Sequence, residues 1–195
     1  MGQVETARLL LRPWRDADLE RLVALYADPR VSRYLSLDGR PWPRERSVTA
    51  FEHFVRQWDQ KGFGPWAVID KRTGGWVGEI GLNELPDWPG PHKIEVGWEL
   101  HPSVWGQGLA TEGGRAAVRH GFETVGLDRI ISAARADNLA SRRVMEKCGL
   151  SFQAEFPYKG AVAVWYAIDR ADWERVRRRP GDPGHGAVGS GSLPG

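Results

Sequence analysis

An alternating strand-like run, Lys93-Ile94-Glu95-Val96-Gly97-Trp98-Glu99-Leu100, leads through His101-Pro102-Ser103-Val104 into Trp105-Gly106-Gln107-Gly108-Leu109-Ala110-Thr111-Glu112, which opens a helix. No other stretch constrains the chain as strongly. Successive N–H groups in a first helical turn are unpaired and point outward, and the helix dipole adds to their attraction for an anion. Glycines at 106 and 108 and the small Ala110 let backbone approach such an anion with no Cβ in the way. The junction therefore reads as a diphosphate cradle. The Lys-Ser/Thr pair of a P-loop is absent. A dinucleotide fold is disfavoured too, because the motif does not open the chain and antiparallel hairpins flank it.

The remaining elements follow from periodicity. Ala7–Arg12 predicts a first strand, and Asp16 is placed to cap a helix carrying Leu19, Leu22, Val23 and Tyr26. Phe51, Phe54, Val55 and Trp58 repeat the pattern on a helix over 44–61. Trp66–Asp70, the turn Lys71–Gly75 and Trp76–Leu82 predict a hairpin. On the next strand Ile94, Val96, Trp98 and Leu100 share one face, and Glu95, Gly97, Glu99 and His101 the other. A helix over 108–123, a strand at Arg129–Ala134 and a helix from Asn138 come next, and strand–helix–strand at this spacing predicts a right-handed crossover between parallel neighbours. Phe152–Phe156 and Val162–Ile168 close the sheet as a hairpin around Tyr158-Lys159-Gly160. The expectation is an α/β (α+β) fold, a mixed central sheet of about seven strands flanked by helices.

A chain of 195 residues with 41% hydrophobic content supports one packed domain, placed at residues 1–178. Residues 179–195 are rich in glycine and proline with little to bury and read as a disordered tail. A net charge of +2 with 27% charged residues is mixed rather than polarised, so nucleic acid is not implied. The single cysteine, Cys148, excludes an intramolecular disulfide framework, and the five histidines lack metal-ligand spacing, so no metal is expected. Neither a signal-peptide pattern nor a membrane-length apolar run occurs, and the cytoplasm is the expected location.

A second segment narrows the reading. Asn138-Leu139-Ala140-Ser141 with Glu146-Lys147-Cys148-Gly149-Leu150 lies about one helix and one strand beyond the glycine loop. Together with Trp105–Ala110 it resembles the GNAT superfamily of acyl-coenzyme A-dependent N-acetyltransferases. The opening Thr6–Trp14 and the Trp-Gly-x-Gly-x-Ala-Thr-Glu form of the loop point to its RimJ/RimL-like branch, whose namesakes acetylate ribosomal-protein N-termini. The likeness spans roughly residues 5–170.

The resemblance implies acetyl-CoA as co-substrate and an amine acceptor, either a protein N-terminus or a small molecule. It assigns the diphosphate to Trp105, Gly106, Gln107, Gly108, Leu109, Ala110 and Thr111, and the pantetheine arm to Leu100, His101 and Pro102 with Asn138. Pantetheine amides can add to a strand edge as a further strand would. Many members carry Gln or Arg where this chain has Trp105, so backbone donors hold most of the diphosphate. Many also carry a tyrosine where this chain has Met145, which cannot donate a proton. Ser141 is the nearest hydroxyl for the departing thiolate, with Tyr158 and Tyr166 as outside candidates. A backbone N–H near Leu100 is the candidate oxyanion donor.

Catalysis also requires a neutral amine. An α-amino group is roughly one-tenth neutral at pH 7, a lysine side chain only about once in 2,500, which favours a weakly basic acceptor by roughly 3 kcal/mol. Glu95 and Glu99 share the strand face beside the thioester and are the candidate bases, directly or through water. Glu79, Glu84, Asp87, Glu95 and Glu99 lie on two neighbouring strands and their connection and would favour a cationic acceptor. The segments 31–45 and 84–92 are the expected acceptor loops, with some of the ten tryptophans in the pocket.

Three activities fit these residues: direct acetyl transfer to an amine, with succinyl transfer or an antibiotic amine as variants; a silent acyl-CoA sensor, given Trp105 and Met145; and an RNA-associated module using Arg175, Arg177, Arg178 and Arg179. Cys148 reads as a buried side chain rather than a nucleophile. The chain is expected to be a monomer or a homodimer.

Overall fold

The computed structural model describes residues 2–35, 39–88, 90–158 and 161–177. Its strands are β1 (Val4–Glu5), β2 (Leu9–Arg12), β3 (Pro65–Asp70), β4 (Trp76–Glu84), β5 (Ile94–Leu100), β6 (Arg129–Arg135), β7 (Ser151–Tyr158) and β8 (Ala161–Asp169). The helices are α1 (Leu19–Ala27), α2 (Pro29–Leu35), α3 (Arg44–Lys61), α4 (Leu109–His120), α5 (Leu139–Lys147) and α6 (Arg170–Arg177).

All described strands join one sheet in the order β1-β2-β3-β4-β5-β6-β8-β7, antiparallel throughout except for β5 and β6. The sheet therefore has eight strands rather than about seven; the additional one is the two-residue β1, paired to β2 at Val4↔Leu11 and Glu5↔Leu10, too short to register as a period. The closing hairpin is present, with β8 inside and β7 at the edge, and residues 159–160 of its turn lie outside the described set, as does the tail.

Alternation decides which face each strand buries. Ile80 and Leu82 of β4, Val96 and Leu100 of β5 and Val68 of β3 pack with Leu109, Ala117 and Val118 of α4 and Met145 of α5 in the main core. The neighbouring β4 residues Glu79, Gly81 and Asn83 face the opposite side, where α1–α3 form a second cluster from Leu22, Leu25, Tyr26, Phe51 and Phe54. Gly113 and Gly121 let α4 lie close to the sheet, since a Cβ there would stand 2.4 Å from Ile80 Cδ1 and 2.7 Å from Ile130 Cδ1.

The α3 boundaries match the sequence expectation, with Gly62 as its left-handed C-terminal residue. The first helix is differently capped: a 3₁₀ turn over Asp16–Asp18 precedes it, and Asp18, not Asp16, accepts the Arg15 N–H at 3.0 Å. Asp18 also takes both guanidinium nitrogens of buried Arg12, at 2.6 and 2.9 Å, tying β2 to the start of the helical layer. Periodicity missed α2, a helix starting at Pro29, and placed the helix end at 123, where the chain leaves α4 by a π turn, Gly121–Val125.

Candidate active site

The site arises where the sheet opens. β5 pairs with β4 along its whole length, from Glu84↔Ile94 to Gly78↔Leu100, yet meets β6 in register only at Glu95↔Ile131. Beyond Glu95 the two parallel strands diverge, and the wedge between them is a groove of about 420 Å³. Leu100, Trp105, Gly106, Gly108, Leu109, Ala110, Thr111, Asn138 and Ser141 line it together with Glu99.

Gly106 and Gly108 have φ of +75° and +78°, a region that L side chains enter at a cost of about 1–2 kcal/mol. A Cβ at Gly106 would meet nothing within 4 Å, so the loop backbone is open to a ligand. His101, Pro102 and Gln107 shape the loop rather than line the groove. His101 caps the 3₁₀ turn Pro102–Val104 through Nδ1, which accepts the Ser103 N–H at 3.2 Å, and Gln107 Nε2 donates to the Ser103 carbonyl at 3.1 Å.

The Trp105 indole N–H donates to the Leu100 carbonyl at 2.7 Å, so this side chain pins the loop to the end of β5. A brace from the N-terminal segment holds the far side. Glu112 accepts from Thr6 Oγ1 at 2.6 Å, the Arg8 backbone N–H at 2.7 Å and Arg8 Nε at 2.6 Å, while Arg8 Nη1 reaches the Gln107 carbonyl at 2.8 Å. Sequence reading gave Thr6 and Arg8 no role at this loop. On α5, Asn138 Oδ1 accepts the Ser141 N–H at 3.1 Å, leaving the Asn138 amide nitrogen for the groove.

A second space of about 540 Å³ lies on the α1–α3 face of the same strands. Its floor is formed by residues opposite one another on β4 and β5: Glu79↔Glu99, Gly81↔Gly97 and Asn83↔Glu95. Glu99 lines both spaces and is the carboxylate at their junction. Gly78 makes this register possible, because its φ of +140° brings β4 so near β5 that a Cβ would stand 2.2 Å from the Glu99 carbonyl.

Tyr26 Oη donates to Glu79 Oε1 at 2.9 Å, and Glu79 and Glu99 are hydrogen-bonded to each other. Burial pushes the Glu99 carboxyl far above its ordinary range, and the charge of Glu79 adds to this. Burial raises Glu79 too, although its bonds from Glu99 and Tyr26 hold it back. The two carboxyls thus share a proton. Glu95, whose Oε1 accepts the Ala133 N–H at 2.9 Å, is pushed up to about 8, chiefly by burial. Burial likewise keeps the Tyr26 phenol protonated as a donor.

Of the five acidic residues grouped in sequence, Glu84 instead pairs with Lys61 and Asp87 is exposed outside the cavity. Leu35 and Trp42 line the space, consistent with the first acceptor segment, but no described residue of 84–92 does. Trp88 packs on Phe156 and Trp165. Sequence reading missed Tyr26, Trp42, Arg46, His53 and Asn83 as cavity residues. Asn83 carried a signal, the same alternation on β4 that exposes Glu79.

Met145 is buried in the core and lines neither space, and Tyr166 is buried with its hydroxyl near Arg142 and Glu146. The side chain of Tyr158 lies outside the described set. Cys148 is buried, with a thiol pushed up to about 12 by burial, which rules it out as a nucleophile at neutral pH. Arg175 and Arg177 are paired with Asp172 and Glu123, and residues 178 and 179 lie outside the described set. Among the described residues no group of three or more His, Cys, Asp or Glu could hold a metal, and no helix is long and apolar enough to cross a membrane.

A splayed parallel strand pair, a glycine loop opening a helix, and a carboxylate-floored cavity behind it define an acyltransferase fold. Residues 8–151 match the acetyltransferase (GNAT) domain, and the chain belongs to that family. It is 32% identical over 189 residues to the FsC-acetyl coenzyme A-N(2)-transacetylase of Aspergillus fumigatus, covering 90% of this chain and 79% of that one. An acetyltransferase of Agrobacterium tumefaciens superposes with a TM-score of 0.75 at 28% identity, covering 86% of this chain and 94% of the other. RimL, a ribosomal-protein alpha-N-acetyltransferase solved with coenzyme A, shares the fold, with a TM-score of 0.70 at 17% identity over 86% and 98% of the two chains.

The protein is therefore an acyl-CoA-dependent N-acetyltransferase with acetyl-CoA as co-substrate. The residues present fit that molecule: open positive-φ glycines and a helix start stand at one end of the groove, and Glu99 at the other.

Proposed function

We propose that the protein acetylates a primary amine that enters the 540 Å³ cavity and attacks, without a covalent enzyme intermediate, a thioester held in the groove. The observation carrying this reading is Glu99, the carboxylate that both spaces share. Acetyl-CoA supplies the activated acyl group; the chain supplies binding, orientation and proton movement.

Backbone N–H groups over residues 106–111 hold the diphosphate, and the unpaired edge of β5 beyond Glu95 orients the pantetheine arm with the Asn138 amide. Glu99 takes the ammonium proton. Its partnership with Glu79 supports this role, since a carboxyl pair sharing one proton can accept a second and the raised affinity brings it closer to the range of an amine. Glu95 is the second candidate base, four residues back on the same face. A backbone N–H near Leu100 polarises the carbonyl, and Ser141 orients or protonates the departing sulfur. The similarity to the Aspergillus enzyme supports a small-molecule amine over a ribosomal-protein terminus, and the RimJ/RimL-like sequence features support the latter.

Thiol release from acetyl-CoA across an amine panel tests the proposal. Turnover should fall at least 100-fold in Glu99→Gln with acetyl-CoA affinity within about threefold. Undiminished turnover would remove Glu99 as the base.

A further inference from the structure

The acceptor cavity is not uniformly acidic. From Glu99 on its floor one wall ascends by consecutive contacts: Glu79 beside Glu99, Tyr26 Oη on Glu79 at 2.9 Å, the Trp42 ring edge-on to Tyr26 at 4.8 Å, and the Arg46 guanidinium over Trp42 at 3.8 Å. Arg46 is exposed at the cavity rim and, among the described residues, makes no ion pair, in contrast to Arg8, Arg12, Arg30 and Arg44, each held by a carboxylate. The Trp42 indole N–H in the same wall is buried with no hydrogen-bond partner. A buried unmet donor costs about 1–3 kcal/mol, so an oxygen that reached it would be favoured. The wall therefore runs from carboxylates below to a free cation and an unmet donor above.

Resting on the acetyltransferase reading, we infer that the acceptor is a small zwitterion whose amine sits at Glu99 on the cavity floor and whose anionic group, a carboxylate or phosphate, is held at the rim by Arg46 with Trp42. The charge balance excludes the simpler expectation of a purely cationic acceptor. Glu79 and Glu99 share a proton and burial keeps Glu95 largely protonated at neutral pH, so the floor carries far less than three negative charges. Arg46 and the exposed Arg56 on the same cavity would repel a second ammonium. A guanidinium already stacked on an indole is weakly hydrated and presents its edge to an oxyanion.

Matched amines that differ only in the anion test this: ornithine against putrescine, phenylalanine against its amide, and O-phosphoethanolamine against ethanolamine. Binding to the CoA-saturated protein is titrated alongside turnover. The anion-bearing member of at least one pair should bind at least tenfold more tightly, the carboxylate and phosphate pairs distinguishing the two anions. In Arg46→Gln the ratio should drop below about twofold, Arg46→Lys should restore part of it, and acetyl-CoA affinity should hold. Arg119→Gln, an exposed charge on α4, serves as the control that leaves the ratio intact.

Equal or tighter binding by every anion-free member, no binding by either member of every pair, or a full preference surviving in Arg46→Gln would each overturn the inference. Acetylation of amines with no such preference would leave the acetyltransferase reading standing. Anion-selective binding without acetyl transfer would support the inference and sink the proposed role of Glu99.

Discussion

The groove and the acceptor cavity lie on opposite sides of the same two strands, yet they are made differently. The groove is a backbone device assembled from contiguous sequence, with two positive-φ glycines, a helix start and a strand edge that lacks a partner. The cavity is a side-chain device, with Glu79 from β4, Glu95 and Glu99 from β5, Tyr26 from α1, Arg46 and His53 from α3, and Trp42 from the segment before α3. A co-substrate with a constant diphosphate can be met by main chain, whereas an acceptor must be chosen by side chains. The two halves should therefore fail independently.

The largest expected effect lies at their junction. Glu99→Gln should lower kcat at least 100-fold, and Glu95→Gln should have a smaller effect if Glu99 is the base; the reverse order in steady-state kinetics would exchange their roles. Next is Gly108→Val, which forces a β-branched residue to a φ of +78° and should weaken acetyl-CoA binding at least tenfold, about 1.4 kcal/mol, in calorimetric titration. Gly97→Val is its counterpart. A Cβ there meets nothing within 4 Å and projects from the cavity floor, so the acceptor KM should rise about tenfold while acetyl-CoA affinity holds. If each variant weakened both ligands, the separation of the two spaces would collapse. Ser141→Ala should cost the least, a fall of a few-fold in kcat with unchanged binding.

The carboxyls also leave a signature on stability. A carboxyl whose folded pKa is raised is protonated in both states below the ordinary value of 4.5, so it costs nothing there, and the cost grows until it is complete above the folded value, about 8 for Glu95. Melting temperature should decline from pH 5 to pH 9, and Glu95→Gln should lessen that decline. An unaltered pH slope in scanning calorimetry would show that Glu95 is solvated like a surface residue.

The legible parts were those in which one stretch of chain carries its own physics. The α3 helix, Arg44–Lys61, follows from apolar spacing and a terminal glycine, and the β5–loop–α4 junction from alternation broken by glycines. The assignment of Glu95 and Glu99 to one strand face needed only a period of two. Glu79 was visible merely as one of several acidic residues, because β4 and β5 are joined by nine residues of irregular chain that leave their register open. A slip of one position would turn Glu79 into the core, and no local pattern reports which register is adopted. Tyr26 read as a core residue of an amphipathic helix, which it also is; that its hydroxyl ends on Glu79 depends on how α1 lies across the sheet.

The amino-acid order alone thus determined the fold class, the diphosphate cradle and the identity of the co-substrate, because glycine freedom, helix-end donors and strand alternation act over a few bonds. Only the tertiary structure decided that Glu79 and Glu99 face each other, that Asp18 rather than Asp16 anchors the first helix, and that a guanidinium and an indole stand above the carboxylates. Desolvation and charge pairing depend on distances between segments far apart in the chain, and those distances exist only once the sheet has set its register and the helices have closed over it.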